Sequence, residues 1–388
     1  MFGIDLPSEV IIGESVSKRV FFGRFEGESV IVKFYTADDL KSSAAKIKHV
    51  KQDNLMDNFD EIETTTEDRV IYNIYVHYLI QKSLRMGMYA EYYCHDEKKW
   101  IKKCVVKNED RGEDNVYGCF VKLKNKLMGE EVTSYKENSE IPFVRLKHIV
   151  GVKFDSETET FIPQNQAICL IFPKLSEPVM NYNSGELKWS VNSEYFYIFS
   201  DERKISQFFR NVVLALFFLF EKLNIVHKDI KIENICTVKY GDTHLPVIID
   251  FGESQILMGD KRLMDSYGTH SMLPPEAFFS SFHDYIGSFR GYCSEKREIW
   301  TLGCLLHIMV FGYPPLFDIL SEKSPIEFQL SLCDKNQKIE IPKYSQIIQK
   351  ETSNELNHLL SGLLCKNPNS RFSFEDVLKD PWVVGEIS

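Results

Sequence analysis

The hydrophobic pattern of this chain changes period near residue 175, and that change constrains its fold more than any other feature. Before it, short runs rich in β-branched and aromatic residues alternate with polar turns. "VIIGESV", "VFFGRF", "SVIVKFY", "RVIYNIYVHY", "AEYYCH", "IKKCVVK", "VYGCFVKLK" and "QAICLIF" are predicted strands. After it, apolar residues recur at helical spacing in "RKISQFFRNVVLALFFLFEKL", "EIWTLGCLLHIMVFG" and "SNELNHLLSGLLCKN", while "VIIDFG" is a short buried strand. A strand-rich lobe followed by a helical lobe predicts an α+β fold with a cleft suited to a ligand.

Composition narrows the setting. With 388 residues, 44% hydrophobic and 26% charged, the chain can bury two or three cores and has no disordered bias. The apolar run Val212 to Phe220 is too short to span a bilayer, and "MFGIDLPSEV" lacks the regions of a secretory signal. A cytoplasmic location is expected, with the nucleus as alternative, and no membrane partner. Nine cysteines without a C-x-x-C pair indicate neither a disulfide framework nor a zinc site. The net charge of -10 argues against a nucleic-acid partner.

Directly after the first long helical run stands "HKDIKIEN", His227 to Asn234, and "DFG" begins at Asp250, sixteen positions after Asn234. This ordered pair resembles the catalytic loop H-R-D-x-K-x-x-N and metal loop D-F-G of protein kinases. Downstream, "GTHSMLPPE" resembles G-T-x-x-Y-x-A-P-E, "EIWTLGC" resembles D-x-W-S-x-G, and "KNPNSRF" with "DPW" resembles the closing helices. The resemblance covers roughly residues 78 to 385 and implies the α+β, bilobal protein-kinase-like fold, with a small antiparallel-sheet lobe plus one helix and a larger helical lobe, ATP and Mg2+ as cofactors, and a protein substrate carrying Ser or Thr.

Phosphoryl transfer needs a nucleophile aimed in line and cations on the phosphate oxygens. The resemblance gives Asp229 the substrate hydroxyl, Lys231 the transferred phosphoryl group, and Asn234 and Asp250 the magnesium. It makes His227 structural, packed under the DFG turn, lets Thr269 steady the catalytic loop, and pairs Glu276 with Arg371, because a buried carboxylate requires a partner. Lys228 replaces the usual arginine before Asp229, so a point charge replaces the fork suited to a phosphorylated activation loop. Ser254, Ser266 and Tyr267 are candidate phosphorylation sites there, and Glu298 stands in place of the aspartate that anchors the loop.

Three lysines compete for the α and β phosphates. "SLRMGMYAEYYCHDEKKWIKKCVVK" matches a glycine loop and lysine strand, with Gly87 at the hairpin tip and Lys107 twenty positions later. "YGCFVKLKNKL" offers Lys122, and "IIGESVSKRVFFGRFEGESVIVKFY" offers Gly13, Gly23 and Lys33. Counting back from "LKHIVGVKF" puts Glu137 at the helix position that holds the lysine. Lys107 precedes it by thirty residues and Lys33 by more than a hundred, so the shorter insertion favours Lys107, with Lys122 and Lys33 as alternatives. Residues 1–75 are then an extra module resembling a degenerate small lobe, before a small lobe at 76–172 and a large lobe at 176–385.

On "AICLIFPKL", Phe172 is the expected gatekeeper and Pro173 to Leu175 the hinge that meets adenine. "PVMNY" and "KNPNSRF" resemble calcium/calmodulin-dependent protein kinase kinases in particular. Those carry a calmodulin-binding tail after the kinase domain, whereas this chain stops at Ser388, so calmodulin is not implied as a partner. Two functions follow: a serine/threonine kinase, or a pseudokinase scaffold with weak or no catalysis.

Overall fold

A computed structural model of the chain describes residues 6–17, 19–36, 66–107, 142–164, 167–240, 243–278, 291–322, 324–334 and 336–387. The chain divides into two compact units, one from residues 1–119 with 144–174 and one from residues 120–143 with 175–388.

The first unit is built on one sheet. Its strands are β1 (Val10–Ser17), β2 (Val20–Phe25), β3 (Glu28–Thr36), β4 (Met88–Cys94), β5 (Lys99–Val106), β6 (His148–Val150) and β9 (Ala167–Pro173), in the order β1-β2-β3-β9-β6-β4-β5. The ribbon β7 (Val152–Asp155) and β8 (Thr160–Pro163) stands beside it. Glu26 and Gly27 link β2 to β3 with φ of 50° and 82°, the left-handed pair that a two-residue hairpin requires.

Period-two alternation decides the faces. Val30, Val32 and Phe34 join Val10, Phe21, Phe25, Cys169 and Ile171 in a core on one face. Ile31 and Lys33 therefore look to the other face with their partners across the ladder, Phe172 and Leu170.

Helix α1 (Thr66–Leu84) corrects the expectation that "RVIYNIYVHY" is a strand. Val70, Ile74 and Tyr78 recur at four-residue spacing, but His77, Ile80 and Gln81 are buried as well. A helix buried nearly all round gives an apolar run without clear period, which composition alone reads as β. Gln81 fixes it in place: its Nε2 donates to the Leu146 carbonyl at 3.1 Å and its Oε1 accepts from the Leu146 N–H at 2.8 Å. The His77 ring lies 5.2 Å from that of Phe172, so α1 covers the face that carries Ile31 and Lys33.

β1 to β3 are continuous with the sheet through β9, so residues 10–36 share one sheet with β4 to β6.

The second unit is mainly helical: α2 (Glu202–Leu223), α3 (Pro275–Phe278), α4 (Ser294–Phe311), α5 (Phe317–Glu322), α6 (Pro325–Cys333), α7 (Asn354–Leu363), α8 (Phe374–Lys379) and α9 (Pro381–Val384). Asp201 caps α2 by accepting from the Lys204 N–H at 3.0 Å, and left-handed Asn224 ends it. Helix α4 is buried along almost its whole length, which explains the apolar run that follows its charged first residues. Small ribbons complete the unit: β10 (Met180–Asn183) with β11 (Lys188–Val191), β12 (Ile225–Val226) with β15 (Gln255–Ile256), β13 (Ile235–Tyr240) with β14 (Thr243–Ile248), and β16 (Arg262–Leu263) with β17 (Tyr292–Cys293). No described helix is long and apolar enough to cross a membrane.

Candidate active site

Two antiparallel ribbons in the second unit bring distant polar segments together. β12 pairs with β15, and β13 pairs with β14 in a register that sets Ile235 opposite Ile248. The Ile249 N–H then donates to the Asn234 carbonyl at 3.0 Å. The segments Asp229–Asn234 and Asp250–Gly252 consequently lie side by side, each flanked by short β-branched strands that fix its ends.

Asp229 is the centre of the first segment. Its Oδ1 accepts the Thr269 hydroxyl at 2.6 Å and the Thr269 N–H at 3.0 Å. Its Oδ2 lies 2.8 Å from the Lys231 ammonium and accepts from Asn234 Nδ2 at 3.1 Å. Lys231 also donates to the Thr269 hydroxyl at 3.0 Å, and Asn234 Nδ2 to the Asp229 carbonyl at 2.8 Å. Burial alone works against the ionised form of Asp229, but the hydrogen bonds from Lys231 and Thr269 outweigh it and hold the carboxyl below the ordinary aspartate range. A carboxylate so held aims a hydroxyl well and is a weak base.

The loop is anchored from below. His227 is fully buried, and burial pulls its imidazole down to about 4. Neutral, it donates from Nε2 to the Ile249 carbonyl at 3.1 Å while Nδ1 accepts from the Asp229 N–H at 3.4 Å, a tautomer set by these partners. Its ring packs 5.0 Å from that of Phe251, the structural role expected for it.

Glu298 accepts the Lys228 N–H at 3.0 Å, so the longer acid performs the anchoring expected of an aspartate. Arg297, its neighbour on α4, donates to the Lys228 carbonyl at 2.8 Å and to the carbonyl of Tyr267. Gly268, at φ +118°, lets this happen, because a Cβ there would stand 2.6 Å from the Lys228 carbonyl oxygen and 2.7 Å from Arg297 Nη2. Sequence reasoning passed over Arg297, because it stands in the charged run Glu295–Glu298 at the start of α4, where nothing local marks it as buried.

Asp250 adopts φ 60°, a left-handed conformation that costs energy outside glycine, and is half-buried. With Asn234 spending its amide nitrogen on Asp229, its side-chain oxygen is the end left for a cation. One amide oxygen and one carboxylate on neighbouring segments are hard donors that fit magnesium carrying its own waters and phosphate oxygens.

In the first unit the candidate lysines fare differently. Gly87 lies in the connection between α1 and β4, where its carbonyl accepts from Arg145 Nε at 2.8 Å, and Ser83 and Leu84 just before it are helical. The element directly before β4 is helix α1 and not a strand, so Gly87 is not at the tip of a hairpin, and Lys107 ends exposed after the outermost strand. Gly13 and Gly23 do sit on a hairpin, β1–β2, that leads into the lysine strand β3. Gly23 is required there: a Cβ would stand 2.6 Å from the Ile11 carbonyl oxygen. Lys122 and Glu137 lie outside the described residues. Phe172 is buried beside His77, and Leu175, half-buried, begins the second unit.

Residues 155–383 match the family described as Protein kinase domain. The chain belongs to the protein kinase family. Similar proteins include a probable serine/threonine-protein kinase fhkE of Dictyostelium discoideum, 32% identical over 200 residues, or 51% of this chain and 25% of that protein. Serine/threonine-protein kinase PLK4 of Drosophila grimshawi is 30% identical over 203 residues, covering 52% and 23%. Protein kinase kin1 of Schizosaccharomyces pombe is 30% identical over 183 residues, covering 47% and 18%. The matches thus span a quarter or less of these kinases. They do not support the narrower likeness to calcium/calmodulin-dependent protein kinase kinases. The kinase match begins inside β7 and leaves β1–β6 and α1 outside it.

Proposed function

We propose that this chain is a serine/threonine protein kinase that transfers the γ-phosphoryl group of ATP to a protein hydroxyl. The observation that carries the reading is the grip of Lys231, Thr269 and Asn234 on Asp229. Asp229 orients the attacking hydroxyl, and its low proton affinity suits a transition state in which bond breaking to the leaving group runs ahead of proton transfer. Lys231, bridging Asp229 and Thr269, supplies positive charge beside the hydroxyl. Asn234 and Asp250 would hold magnesium, which when bound neutralises phosphate charge.

For the lysine that meets the α and β phosphates the fold favours Lys33 over Lys107. Lys33 lies on the interior strand β3, opposite Leu170 of the central strand β9, on the face covered by α1. The lysine of this family works from a strand beside a helix; an exposed residue past the sheet edge does not meet that need. Phe172 and Leu175 keep their proposed gatekeeper and hinge roles.

The test is transfer of labelled phosphate from ATP and magnesium to a generic protein substrate such as casein. Incorporation that disappears in Asp229→Asn and Asp250→Ala supports the reading. A folded wild-type chain that incorporates nothing on any substrate or on itself would leave the scaffold reading instead.

A further inference from the structure

We propose that Asp265 is a positioning residue whose carboxylate holds the activation segment on the catalytic loop permanently, so that phosphorylation of that segment is not needed for activity. The inference rests on the kinase reading above.

Lys228 occupies the position from which a kinase of this family would bind a phosphorylated side chain, and here its ammonium is already engaged. It lies 2.7 Å from Asp265 Oδ2 and donates to Gln255 Oε1 at 3.2 Å, with the lysine side chain 5% exposed. A buried ammonium is stable only beside a counter-charge, and the sequence supplies one that no phosphatase removes. Burial pulls Lys228 below its ordinary range, and Asp265 opposes that pull.

The pair closes a ring of contacts around the catalytic loop. Asp265 Oδ1 accepts the Tyr267 N–H at 3.0 Å, and the Tyr292 hydroxyl donates to the Asp265 carbonyl at 2.5 Å. Arg297 donates through Nη1 to that Tyr292 hydroxyl at 2.7 Å and through Nη2 to the carbonyls of Lys228 and Tyr267. Pairing of β16 with β17 fixes the segment just before Asp265. Two residues beyond Tyr267 stands Thr269, which holds Asp229. The order imposed at Asp265 therefore reaches the catalytic carboxylate through three residues of backbone and through Lys228, its direct neighbour.

The hydroxyls nearby fit the same picture. Ser254 is 4% exposed and donates to the His227 carbonyl, so it is closed to modification in this arrangement. Ser266 and Tyr267 directly follow Asp265, and a phosphate on either would meet an ammonium already neutralised.

The experiment uses the full chain freed of phosphate by a broad-specificity phosphatase and verified by mass spectrometry. Initial phosphate transfer to casein is compared with hydrogen exchange of the 262–269 amides. Phosphate-free wild-type protein is expected to match the untreated rate and to protect these amides. Asp265→Asn should lose the protection and at least about tenfold in rate, equivalent to about 1.4 kcal/mol of barrier, whereas Asp265→Glu should recover most of both. A fall in the wild-type rate on removing phosphate would overturn the proposal, an arm that needs no variant; so would an Asp265→Asn protein with wild-type rate and protection. If wild type transfers nothing, the kinase reading fails, while the exchange comparison still decides whether Asp265 orders the segment.

Discussion

Arg371 grips the carboxylate of Glu276 with both terminal guanidinium nitrogens, Nη1 at 2.5 Å and Nη2 at 3.0 Å, although the two residues are 95 positions apart. The arginine side chain is fully buried, stacked 5.0 Å from the Trp300 ring, and its Nε donates to the Cys365 carbonyl at 2.8 Å. Removing one partner leaves the other charge buried and alone. Glu276→Ala should therefore destabilise the second unit by about 3–5 kcal/mol, read as a lower urea midpoint with unchanged slope. Equal midpoints would mean that water reaches the guanidinium.

Asp229→Asn tests the chemistry without disturbing the frame. The amide retains the size of the carboxylate but loses the charge that Lys231 and Thr269 meet. Transfer to casein should fall by roughly 10²–10⁴-fold, the range for a positioned proton acceptor, while the far-ultraviolet spectrum stays that of wild type. A variant that keeps its rate would show that Asp229 does not orient the hydroxyl.

The two lysine assignments make opposite forecasts. Lys33→Met should weaken binding of an ATP analogue by about tenfold or more, the loss of one charge-assisted contact of about 1.5–3 kcal/mol. Lys107→Met, at an exposed position past the outer strand, should leave binding unchanged. Calorimetric titration separates them, and the reverse result would restore Lys107.

What the sequence made legible follows from the range of the interactions involved. Asp229, Lys231, Asn234 and Asp250 sit in short ordered motifs, and the ribbons that join them begin within a few residues, so the motif and the geometry coincide. Lys33 ranked last by spacing because its neighbour in space is Leu170 of β9, and nothing local in the sequence announces that strand pairing. Counting along the chain measures sequence separation and is blind to that pairing. Helix α1 failed for a related reason: a segment buried on all sides has lost the polar face that would reveal its period. Asp265 gave no signal at all, since an aspartate in a polar loop is ordinary until Lys228 is seen beneath it.

Acid should unfold the second unit earlier than its carboxylates alone would require. His227 and His307 are buried, and burial lowers both imidazoles from 6.5 to about 4. His307 is held neutral by packing against Phe311 at 4.6 Å, with Nδ1 2.7 Å from the Tyr313 carbonyl oxygen. Between about pH 6.5 and 4 the unfolded chain binds protons that the folded chain refuses, so stability rises with pH across this window. The contribution is complete above about 6.5 and is lost as pH falls toward 4, at roughly 2–4 kcal/mol for each histidine. Urea midpoints measured from pH 7.5 to 4.5 should decline steadily. His307→Gln, which keeps size and hydrogen bonding without a titrating ring, should flatten that decline by about half. A midpoint independent of pH across the window would show that both rings are reached by solvent in the folded chain.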